Sequence, residues 1–165
     1  MKTLVILALF CGLQSAGQDM KSCPMHQQAK SGHQADVEKL GDEAMGFPHD
    51  KTTHHFRLLP DGGAIEVTVN DAKDADDLQA IRTHLKHIAA MFSGGDFSTP
   101  MFVHSQTPPG VAEMKDRRAD IAYTFEESAT GGRVRITTTN HDALNAVHDF
   151  LNFQIQDHQT GDRTD

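Results

Sequence analysis

Residues 54–63 (His-His-Phe-Arg-Leu-Leu-Pro-Asp-Gly-Gly) are echoed by residues 123–132 (Tyr-Thr-Phe-Glu-Glu-Ser-Ala-Thr-Gly-Gly). Each stretch leads into a β-branched run and then into an amphipathic segment. The amphipathic segments align without a gap: Leu78, Ala80, Ile81, Leu85, Gly95 and Asp96 fall on Leu144, Ala146, Val147, Leu151, Gly161 and Asp162. A duplicated unit constrains the fold strongly. One plan must be satisfied twice, and each copy must help to cover the apolar surface of the other.

Within the first copy, Phe56 and Leu58 alternate with Arg57, Pro60-Asp61-Gly62-Gly63 supplies a turn, and Ile65, Val67 and Val69 alternate with Glu66 and Thr68. This predicts a β-hairpin with one apolar face. Asp74 or Asp76 can cap the next segment, where Leu78, Ile81, Leu85, Ile88 and Phe92 recur at spacings of three and four, one buried helical face. Gly94-Gly95 ends that helix. In the second copy Ile121, Tyr123 and Phe125 alternate, Gly131-Gly132 turns, and Val134 and Ile136 follow. Asn140 caps a helix carrying Leu144, Val147, Leu151 and Ile155. The fold class is therefore α+β: a duplicated ββα unit giving a four-stranded, mainly antiparallel sheet with two helices on one face. The pattern does not give the order of the strands.

The N-terminus reads as an export signal over residues 1–17: Lys2, an apolar run from Leu4 to Leu13, then Ser15, Ala16 and Gly17. The run is too short to remain as a membrane-spanning helix, so a soluble periplasmic or secreted protein beginning near Gln18 is expected. Residues 18–50 form a polar arm, either mobile or loosely docked, with a short helix between Ala35 and Met45. The duplicated domain occupies residues 51–162, as repeat one (54–96), an insertion (97–120) with a short helix near Val111 to Arg117, and repeat two (121–162). Residues 163–165 are a tail. Cleavage would remove one basic residue, leaving 14 basic against 23 acidic residues and a net charge of −9 with His neutral. Such a chain repels nucleic acid and anionic membranes.

The duplication also supplies an internal control. Where repeat two has Phe150 and Phe153, repeat one has His84 and His87. At positions i and i+3 these imidazoles share one edge of a helix, and Met91 extends that edge by a turn. Strand parity points His54 toward the helical layer and His55 away from it. His104, with Met101 three residues before it, lies in the insertion that leaves this helix. Imidazoles suit copper, zinc, nickel and iron, and thioether sulfur shifts the preference toward copper(I). The candidate ligands are His54, His84, His87 and His104 with Met91 or Met101, copper being favoured and zinc the alternative. The simpler account of a histidine pair beside a helical core is half-exposed, hydrogen-bonded structure.

A second constellation lies in the arm. Cys23-Pro24-Met25-His26, with Met20 just before, puts thiolate, thioether and imidazole within one turn, a soft-metal set that needs no fold. After removal of the signal Cys23 is the sole cysteine, so it has no intramolecular disulfide partner. The four residues resemble the Cys-Pro-Met-His core of short heavy-metal-binding domains in copper and silver efflux proteins; Lys21-Ser22 and Gln27 depart from the usual flanks. Over residues 42–162 the chain resembles a family of small exported bacterial proteins of unestablished function. That resemblance rests on Met45-Gly46-Phe47, Lys51-Thr52-Thr53-His54-His55-Phe56, the His84 to Phe92 helix, Gly95-Asp96-Phe97, Pro100-Met101, His104 and Gln106-Thr107-Pro108-Pro109-Gly110. It implies a stand-alone exported domain and no particular activity.

Catalytic signatures are wanting. The sequence holds no His-Glu-x-x-His, no glycine-rich phosphate loop and no Gly-x-Ser-x-Gly elbow. The acidic run Asp71, Asp74, Asp76 and Asp77 is accounted for by a helix N-terminus. The sequence thus favours an exported metal-binding protein. The alternatives are a partner-binding module of the cell envelope and an enzyme using a metal or haem.

Overall fold

The computed structural model describes residues 24–165, with side chains from residue 32 onward. In chain order the elements are α1 (Pro24–Met45), β1 (Thr52–Leu59), β2 (Gly62–Val69), α2 (Ala75–Ser93), α3 (Ser98–His104), α4 (Val111–Asp116), β3 (Ile121–Ser128), β4 (Gly131–Thr138) and α5 (His141–Asp157). The four strands form one antiparallel sheet in the order β1-β2-β4-β3. Its two repeats, β1β2α2 and β3β4α5, meet where β2 pairs with β4. The α+β duplicated plan is the fold.

The repeat relation is visible in the geometry. A Cβ on Gly62 would lie 2.1 Å from the carbonyl oxygen of Ile136, and one on Gly131 would lie 1.9 Å from that of Val67. Gly62 and Gly131 are 69 positions apart, and so are Val67 and Ile136, so the two contacts are the same contact seen from each repeat. The Gly-Gly pairs are thus strand residues where two backbones approach closely, and not turns as their sequence suggests. The turns are Pro60–Asp61 and Ala129–Thr130. Between strand and helix the offset falls from 69 to 66, because the connection spans residues 70–74 in the first repeat and only 139–140 in the second. Each helix is capped as its sequence indicates. Asp74 accepts the Asp77 N–H, and Asn140 accepts the N–H groups of Asp142 and Ala143.

One face of the sheet packs on the helices through rows such as Phe56, Ile65, Val134 and Phe125. The other face carries a charge ladder, Arg57–Glu66–Arg133–Glu126. These pairs are solvent-facing and each is worth little. They suit a sheet with one wet face.

Residues 32–50 differ from the loosely docked arm that their polarity suggests. The helix is one element of 22 residues. Val37, Gly41 and Met45, at intervals of four, line up on one face; Val37 is 1% exposed, and Phe47 just beyond the helix is 2% exposed. Burying two such side chains contributes roughly 3–6 kcal/mol. His33 and Gln34 also bond to Asp157 and Gln159 at the end of α5. A thin stripe suffices because α1 covers only a flank of the core, packing chiefly on α3.

Candidate functional site

The flank under α1 holds a cavity of about 80 Å³. Its walls come from α1 (Gly41, Met45), β1 (His54, Phe56), α2 (His84), α3 (His104) and the end of α5 (Gln154, His158), closed by core aliphatics. Four histidines thus face one largely apolar space. A more polar hollow of about 250 Å³, walled partly by Glu38 and His49, shares Met45, His54 and His158 with it.

His54 is placed by strand parity, which turns it into the helical layer. Its ring stacks with Phe47 at 6.2 Å and lies parallel to that of His158 at 6.3 Å. His54 Nε2 is 3.2 Å from Met45 Sδ. His84 meets the edge of Phe47 at 5.7 Å. Burial, with smaller contributions from neighbouring imidazoles, lowers the pKa of His54 and of His84 to about 4 and that of His158 to about 3. All three are therefore neutral near pH 7. His84 and His158 have no side-chain hydrogen bond among the described residues.

His104 sits on the same wall but is committed elsewhere. Its Nδ1 is 2.5 Å from Asp157 Oδ2, and its Nε2 is 2.9 Å from Gln154 Oε1. Asp157 also receives His33 at 2.8 Å. Burial alone would raise the Asp157 pKa, but the bonds from His33 and His104 outweigh it and hold the carboxyl below its ordinary value. Both ring nitrogens of His104 are thus in use, and no lone pair is left for an ion.

The remaining sequence candidates separate. His87 is exposed and shares a shallow surface hollow with His84. Met91 is half-buried, its sulfur 3.7 Å from the Thr99 hydroxyl, and neither it nor Met101 lines the cavity. Cys23, and the side chains of Met25 and His26, lie outside the described residues. Of the proposed cluster the structure brings together His54, His84 and His104; His54 is bonded to Met45 Sδ and His104 to Asp157 and Gln154, and His84 alone of the three has no side-chain partner among the described residues. Among the described residues no three His, Cys, Asp or Glu side chains are placed to hold a metal ion.

Met45, Gln154 and His158 line the cavity and were not among the candidate ligands drawn from the sequence. His158 carried a signal. In the gapless alignment it falls on Phe92, a fully buried core ring. The exchange of phenylalanine for histidine therefore runs both ways between the repeats, at His84/Phe150 and at Phe92/His158, and both histidines reach the same cavity. Met45 was legible only as part of a helical stripe, since nothing local brings it to His54.

Compared with known proteins, the chain matches no family model, no curated protein and no solved structure. No described helix is long and apolar enough to cross a membrane.

Proposed function

We propose that this chain is an exported protein that binds copper(I) through His54 Nε2 and Met45 Sδ. The observation that carries the reading is the 3.2 Å separation of those two atoms. An ion bound tetrahedrally at about 2.0 Å from nitrogen and 2.3 Å from sulfur would set them roughly 3.5 Å apart, a few tenths of an ångström from where they stand. His54 is neutral near pH 7, and its tautomer protonated at Nδ1 carries the single lone pair on Nε2, the nitrogen that faces Met45. His84 and His158, also neutral and without described partners, border the same space as further nitrogen donors. Thioether and imidazole in an apolar setting favour copper(I). Zinc takes three or four firm protein donors, a set that the described residues do not assemble.

The leader-like first 17 residues support export. The soft set Cys23, Met25 and His26 is a second candidate for capture of a soft ion. Copper(I) titration against a chromophoric chelator tests the reading, using the chain from residue 18 with Cys23→Ser to silence the arm. One tight equivalent is expected, lost in Met45→Leu/His54→Phe. Retention of that equivalent at unchanged affinity in the double variant refutes the site.

A further inference from the structure

The cavity interior holds a feature that copper at its edge does not use. Gln154 is 4% exposed and lines the cavity, and its amide Nε2 is buried with no hydrogen-bond partner. The other end of that amide is held by His104 Nε2 at 2.9 Å, so the side chain is anchored and cannot readily swing to solvent. An unpaired buried amide costs on the order of 1–3 kcal/mol and calls for an acceptor.

The rest of the wall narrows what that acceptor belongs to. No Asp, Glu, Lys or Arg is among the residues that line the space, and the one ionisable pair at its edge, His104 with Asp157, is joined within itself. A charged guest would find no counter-ion there and would lose its hydration. Phe56, Phe92, Phe150 and the His158 ring offer flat apolar surfaces. At about 10–15 Å³ per water-sized unit, 80 Å³ admits roughly five to eight such units, the size of a small ring. An apolar space with one or two fixed polar groups is the usual form of a small-molecule site.

We infer that the cavity is a binding site for a small, neutral, mainly apolar ring compound bearing one oxygen acceptor, which the Gln154 amide N–H donates to. The inference stands on the cavity and not on copper, so it is tested in chelator-treated, metal-free protein. Cyclopentanone and cyclopentane serve as probes, since they share a five-membered ring and differ in one carbonyl. Methyl resonances of Ile88, Val67 and Val103 are followed by NMR as each probe is added. Cyclopentanone should shift them saturably, with nuclear Overhauser contacts from its ring protons to Ile88 and Val103, and should bind about tenfold more tightly than cyclopentane, the worth of one hydrogen bond. Gln154→Leu should abolish that preference while cyclopentane still binds, and Val103→Phe, which fills the space, should abolish both. The inference is overturned if neither probe shifts these methyls saturably, or if the unmodified protein binds the two equally. The comparison of probes on the unmodified protein stands even if a variant does not fold.

Discussion

Lowering the pH of the metal-free protein from 7.5 to 5.0 should destabilise it steeply, and the cavity histidines set the size of the loss. His54 and His84 titrate near 4 in the folded state and His158 near 3, against about 6.5 when unfolded. A depressed folded pKa means that the unfolded chain binds protons first. The stability is fully present above pH 6.5 and drains away as pH falls toward 4. At pH 5.0 each histidine alone would cost about 2 kcal/mol, or about 6 kcal/mol for three. The rings are mutual neighbours and keep some solvent contact, which cuts the sum to about 3 kcal/mol. That remains a large share of the 5–15 kcal/mol typical of a domain. His49 acts in the opposite sense, its pKa raised by the bond that its ring donates to the Asp42 carboxylate, but it is exposed and contributes little. The lowered carboxyls Asp96, Asp157 and Asp162 lose their contribution only below about pH 4, outside this window. Urea denaturation at the two pH values, with chelator present, measures the difference. His84→Phe, which copies Phe150 of the other repeat, should remove about a third of the pH dependence. An unfolding midpoint that does not move between pH 7.5 and 5.0 would show that these rings are not held neutral, and the account of the cavity would fail with it.

Two further predictions concern the scaffold. Gly131→Ala places a methyl 1.9 Å from the Val67 carbonyl and should cost more than about 3 kcal/mol or prevent folding; Gly161→Ala, which meets nothing within 4 Å but sits at φ +73°, should cost only about 1–2 kcal/mol, both read by thermal melts. Asp162→Ala removes the carboxylate that accepts the Phe56 N–H on the outer edge of β1 and also holds His55 and Arg57; the Phe56 amide should exchange its hydrogen much faster, with a loss of about 2 kcal/mol.

The sequence alone settled the architecture of residues 51–162. Periods of two and of three to four, caps at Asp74 and Asn140 and a duplicated order of elements are local signals, and each agrees with the others. Strand parity likewise sent His54 inward and His55 outward without any coordinates. The strand order did not follow, because nothing local says that β2 meets β4 through its glycines. Membership of the site did not follow either. Met45, His54, Gln154 and His158 come from three elements far apart in the chain, and only the docking of α1 over the ends of β1 and α5 makes them neighbours. Sequence named histidine as the unusual residue in this core; tertiary packing decided that His104 would be bound to Asp157 and Gln154, that His87 would face solvent, and that His158 would take its place beside the cavity. Spacing along a chain fixes which way a side chain points, whereas the partner it meets depends on contacts between segments that no local pattern encodes.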